Sequence, residues 1–210
     1  MKRMFALAAL VASVSMPLSV LAWGIPGLGG GSSSSGGQDL SASQDQLVTQ
    51  YRAAGSDVVD ANLHLANALD LKDQADKLKA VQQAATSGSS SETLEKTEAA
   101  LSDSTKAIQE AMKSPAPMDA SKKVEFSTGL VKLAQGLIKY SKMKEPASKF
   151  SSGLSSSPTA AAKLQAGASI VKALPTDVQN ISSFLQGAIN FAKANDIKVP
   201  DDATSALKDL

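Results

Sequence analysis

The sequence predicts an all-α protein, an elongated antiparallel bundle of about five helices plus a short C-terminal helix, preceded by a cleaved export signal. Three observations predict it. Apolar residues recur every three to four positions through most of residues 45–208, and no segment sustains the alternation of a strand. Aromatic residues make up only 4% of the chain and cysteine is absent. The core must then be assembled from Ala, Leu, Val and Ile, side chains that suit close helix–helix contact and need no disulfide at this length. Finally, Ser, Gly and Pro clusters punctuate the periodic stretches at Thr86–Ser91, Pro115–Pro117 and Ser151–Ser157.

The first 22 residues read as a removable signal. Lys2 and Arg3 form a short positive start, Met4 to Ala12 an unbroken apolar run, and Val20-Leu21-Ala22 a cleavage site with modest side chains. A retained membrane anchor needs ~20 apolar residues, and Pro17 with its flanking serines shortens the run below that. No other window is apolar enough to span a bilayer, so the processed chain is not expected to be integral to a membrane. Without cysteine it cannot carry an N-terminal lipid-modified Cys. The short positive start is bacterial in style, which places the product in a periplasm or outside the cell.

Cleavage after Ala22 reduces 210 residues to 188 and 21 basic residues to 19, against 20 acidic ones. A nearly neutral chain has no general attraction to nucleic acid. Residues 23–44 begin Trp-Gly-Ile-Pro-Gly-Leu and continue in Gly and Ser, too little apolar surface to offset the entropy of ordering. They are expected to be a flexible segment, leaving residues 45–210 as one helical domain.

The first helix is expected from Asp45 to Ala85, with Leu47, Tyr51, Ala54, Val58, Ala61, Leu65 and Ala68 on one stripe and Gly55 its weak point. Unbroken, it would be ~60 Å long, so the bundle is elongated or this helix bends. The second runs from Glu92 to Lys113, with Glu92 and Glu95 in the first turn where the helix dipole favours acids. The short link makes the pair an antiparallel hairpin.

The third helix, Asp119 to Met143, carries an a/d-type repeat of Phe126, Leu130, Leu133, Leu137 and Tyr140, widened by Val124, Val131, Ala134 and Ile138. An apolar arc of that width implies a central helix with at least two neighbours. Gly129 and Gly136, seven apart at the edge of the arc, are suited to close approach of another backbone. Ser157-Pro158 is a cap-and-proline start for a fourth helix that Pro175 is expected to end. A fifth then opens at Thr176 or Asp177, with Val178, Ile181, Leu185, Ala188, Ile189 and Ala192 as core. Pro200-Asp201-Asp202 precedes the short last helix, Ala203 to Lys208.

Signs of chemistry are few. Cysteine nucleophiles are impossible, the serines form no Gly-x-Ser-x-Gly elbow, and no phosphate loop, Cys/His zinc spacing or calcium loop is present. No cofactor motif stands out. The best polar constellation is Asp57, Asp60, His64 and Asn67, one face of the first helix. Asp60 and His64, four apart, are the candidate metal ligands, with Glu95, Glu98 or Asp103 as further donors; the plainer account is a solvated polar face. Asn180-Ile181-Ser182 is a glycosylation triplet that matters only in a eukaryotic source.

Charge is uneven: Asp119–Lys149 holds seven lysines against three acids, and Glu92–Glu110 five acids against two lysines. Lys132, Lys139, Lys142 and Lys149 form a candidate face for anionic surfaces, although pairing with the acidic second helix, Glu92–Lys113, accounts for them equally, and a solvated lysine face is the plainer account. The absence of catalytic constellations predicts a non-enzymatic interaction protein of the cell envelope, with another envelope protein as partner. The alternatives are a carrier holding an amphiphile between its helices and a peripheral binder of anionic membrane.

Overall fold

The computed structural model describes residues 40–87, 91–114, 117–156 and 164–208, the side chains of 84–87 and 91–99 excepted. The expected signal, most of the Gly/Ser-rich segment with Trp23, and the Ser157-Pro158 helix start lie outside the described residues. Within them every regular element is helical: α1 Leu40–Ala68, α2 Lys72–Ser87, α3 Ser91–Lys113, α4 Ala120–Lys142, α5 Lys144–Ser156, α6 Gln165–Ala194 and α7 Asp201–Lys208. None of these helices is long and apolar enough to cross a membrane.

α4 is the axis. Asp119 caps it, its carboxylate accepting the Lys122 N–H at 2.9 Å. Phe126, Leu130, Leu133 and Leu137 are fully buried and Tyr140 nearly so, as the a/d repeat requires. Val124 departs from expectation: it is 66% exposed, because the neighbours of α4 cover a different arc from the one that pattern alone suggested.

α1 lies along one side of α4 and runs antiparallel to it: Gly136 faces Ala54 and Val58, while Gly129 faces Ala61 and Leu65. A Cβ at Gly129 would stand 3.2 Å from the Ala61 carbonyl oxygen, and one at Gly136 3.3 Å from that of Ala54. The two glycines let the α1 backbone sit directly on α4. α6 covers another side in the opposite sense to α4, the Phe126 and Phe191 rings meeting at 5.0 Å. It therefore runs parallel to α1, where Gln44 accepts the Gly167 N–H and Asp177 the Tyr51 hydroxyl. One continuous apolar cluster joins all three helices with α2, α5, α7 and part of α3.

Four helix boundaries differ from those expected. Residues 40–44 are helical rather than flexible, and Leu40 lies over Gly153 of α5. The long first helix is two helices, broken at Leu69-Asp70-Leu71. Asp70 takes a left-handed conformation (φ 60°), the Leu71 N–H bonds the Ala66 carbonyl at 2.9 Å, and the Asp70 N–H bonds that of Asn67. This is a Schellman end with aspartate where glycine is usual, and Asp196 (φ 53°) ends α6 in a similar way.

Ser151–Ser156 continue α5 rather than breaking the chain. The hydroxyls of Ser152, Ser155 and Ser156 bond carbonyls one turn back, while Phe150 and Ala147 anchor the helix in the core. Pro146 falls in the first turn of α5, where a missing N–H costs little, so Lys149 stays helical. Pro175, expected to end a helix, sits inside α6. An interior proline costs about 3 kcal/mol; burial of Ile170 and Leu174 before it, and of Val178, Leu185 and Ile189 after it, outweighs that.

Candidate functional site

The polar face of α1 and the lysine side of α4 are the two halves of one seam. With α1 and α4 antiparallel and held close by the glycines, Asp57 and Asp60 of α1 each find a partner across the gap. Lys139 Nζ lies 2.6 Å from Asp57 Oδ2, off the direction of a hydrogen bond, so the contact is ionic. Lys132 Nζ lies 3.8 Å from Asp60 Oδ2, and Gln82 of α2 donates to Asp60 Oδ1. The His64 Nδ1–H donates to Glu125 Oε1 at 2.8 Å, with Asn67 Nδ2 at 3.5 Å from the same oxygen. At the end of the seam Lys122 donates to Asp70 at 2.5 Å, a bond that holds the lysine's pKa above its ordinary value.

Placed this way, the candidate ligands are already engaged. Both carboxylate oxygens of Asp60 have partners, and the imidazole Nδ1 of His64 is on Glu125. Among the described residues no group of three or more His, Cys, Asp or Glu could hold a metal ion. Glu95 and Glu98 fall outside the described side chains, and Asp103 is exposed on α3.

The four candidate lysines do not form one face. Lys132 and Lys139 belong to the seam. Lys142 is exposed at the end of α4, and Lys149 stands on α5, paired at 2.6 Å with Glu145 of its own helix. That bond holds the Glu145 carboxyl below its usual range.

Sequence reasoning missed the buried polar groups. Tyr51 donates to Asp177 Oδ2 at 2.6 Å, and the Tyr51 ring stands edge-on to Tyr140 at 5.1 Å. Burial pushes the Asp177 carboxyl up, against the hydrogen bond from Tyr51, which lowers it. Asn62, fully buried, donates from Nδ2 to Thr105 Oγ1 at 2.9 Å. Its signal was present, since Asn62 stands four residues after Val58 and three before Leu65, within the apolar stripe. Asp177 gave none, because after Pro175 it reads as a helix cap. Asn180 is buried in α6, which withdraws the glycosylation triplet from any modifying enzyme in the folded state.

A recess of about 120 Å³ lies between the ends of α1 and α3 and the start of α4, lined by residues including Leu69, Asp70, Ser114, Pro117 and Lys122. That is below the several hundred Å³ of small-molecule sites. No family model, curated protein or solved structure matches the chain.

Proposed function

We propose that the chain is an exported, non-catalytic helical-bundle protein of the cell envelope that acts by contact with another envelope protein. One observation carries the non-catalytic part: the acids and histidine best placed for chemistry are matched, residue by residue, to Lys122, Glu125, Lys132 and Lys139 of a neighbouring helix. Groups used to fasten two helices are poorly placed to bind a metal or move protons for a substrate. The export part rests on the Lys2-Arg3 start, the Met4–Ala12 apolar run and the site after Ala22.

The two alternatives gain less. An amphiphile carrier needs room between helices, and the interior of α1, α4 and α6 is filled by Leu65, Phe126, Leu133, Leu137 and Leu185, none of them accessible to solvent. A binder of anionic surfaces needs free cations, and two of its four lysines face carboxylates of α1.

The reading is tested in the organism of origin. Fractionation and N-terminal sequencing are expected to find the chain beyond the inner membrane, beginning at Trp23. Cross-linking there is expected to capture a discrete envelope protein. A cytoplasmic chain with residues 1–22 intact, or an envelope chain that cross-links to nothing, overturns it.

A further inference from the structure

Two kinds of interface coexist in this molecule. Between α1, α4 and α6 the ion pairs of the seam and the Tyr51–Asp177 bond flank a broad apolar interior: Phe126 on Phe191, with Leu65, Leu130, Leu133, Leu137, Leu185 and Ile189 sealed from solvent. The α2–α3 pair is attached through a smaller apolar set, Ala75, Leu78 and Val81 of α2 with Ile108 of α3, and through polar contacts. Asn62 of α1 bonds Thr105 of α3 and Asp60 of α1 bonds Gln82 of α2, while Ser104 of α3 bonds Gln74 of α2 at 3.3 Å and ties the pair to itself. Asn62 and Thr105 are buried, so this polar contact runs through the inside of the interface rather than round its rim. Asn62 Oδ1 is buried with no partner among the described residues. From α3, Ile108 is the one fully buried apolar side chain among those described.

A polar layer changes the balance between closed and open states. Apolar surface loses its whole transfer gain when it separates, whereas amides and hydroxyls recover hydrogen bonds from water, and the orphaned Asn62 oxygen gains one. Chain topology favours the same opening. The pair is entered at Leu69-Asp70-Leu71 and left at Pro117–Asp119, and these joints lie together at one end of the bundle: Asp70 and Lys122 are bonded across them, and the recess separates them. Swinging the pair away would leave α1 on α4 untouched.

We infer that α2 and α3 form a flap that opens as a unit about the Asp70 and Pro117 joints, without unfolding the α1–α4–α6 core. This inference stands whether or not the chain works in the envelope. Opening exposes Leu78 and Ile108, together with the α1 residues beneath them.

Native-state hydrogen exchange of the full chain in low denaturant tests it, comparing the amides of Leu78 and Ile108 with those of Leu133 and Leu137. The flap amides are expected to exchange at least about tenfold faster than the core amides, and to share one opening. Equal protection, merging only with global unfolding, overturns the flap. The paired substitution Asn62→Leu with Thr105→Val replaces the polar layer by an apolar one and is expected to narrow that gap several-fold. An unchanged gap in a folded variant refutes the polar layer as its cause, and if the variant does not fold the wild-type comparison still decides.

Discussion

Gly129→Ala is the sharpest test of how α1 and α4 meet, because two effects of known sign oppose each other there. In a helix interior alanine is favoured over glycine by about 1 kcal/mol. Against this, the added Cβ would lie 2.8 Å from both Cγ and Cδ2 of Leu65 and 3.2 Å from the Ala61 carbonyl oxygen. Leu65 is fully buried and cannot swing aside, so α1 itself must move outward. Overpacking of this kind costs about 1–3 kcal/mol, and the shift also stretches the Asp60–Lys132 and His64–Glu125 contacts on either side. The net expectation is a loss of up to about 2 kcal/mol, or a fall in Tm of up to roughly 6 °C.

Gly187→Ala is the control. That glycine lies in α6 with nothing within 4 Å of where its Cβ would be, so only the propensity term remains. It should gain up to about 1 kcal/mol. Urea unfolding followed by circular dichroism at unchanged slope measures both. A Gly129→Ala protein as stable as Gly187→Ala would refute the close contact of the two backbones.

Asp177→Asn keeps an oxygen for the Tyr51 hydroxyl and removes the buried charge. Because burial raises the Asp177 carboxyl above its ordinary 3.8, the folded state holds that proton more tightly than the unfolded chain. The associated stability is complete below 3.8 and is lost as pH climbs through the folded value. The variant should therefore match the wild type in acid and exceed it at neutral pH, as thermal melts across pH will report. Asp196→Gly removes the cost of a left-handed non-glycine residue at the end of α6. It should raise stability by about 0.5–1 kcal/mol in the same urea assay.

What the sequence revealed was whatever lies within one helix. The Phe126–Tyr140 repeat, on a helix expected from Asp119 to Met143, locates α4 to within a residue, since periodicity is a local property. The two α4 glycines announced a close approach but not its partner. What escaped depends on neighbours. Pro175 punctuates any helix read by propensity, and only the apolar contacts on both sides carry α6 through it. Asp70 looks like one more polar residue on a long helix, and its left-handed turn is visible only in the backbone.

The candidate ligands, weighed in the sequence against a solvated polar face, have a third arrangement in the structure, as one side of a seam. Asp57, Asp60, His64 and Asn67 were correctly placed on one face, as Lys132 and Lys139 were on another helix. A single helix does not record what its polar face meets, so two halves of one seam were read as two separate surfaces. Val124 shows the converse, an apolar residue within a plausible arc that no neighbour covers.

A double-mutant cycle on Asp57→Ala and Lys139→Ala probes the seam itself. The contact is 2.6 Å long and the Asp57 side chain is only 12% exposed, against 47% for Lys139. Coupling of about 1–2 kcal/mol is predicted, above the fraction of a kcal/mol typical of exposed pairs. Additive losses, to within about 0.3 kcal/mol, would contradict the account: the α1 acids and α4 lysines would then be independent faces, free to serve as the binding surfaces their residue types first suggested.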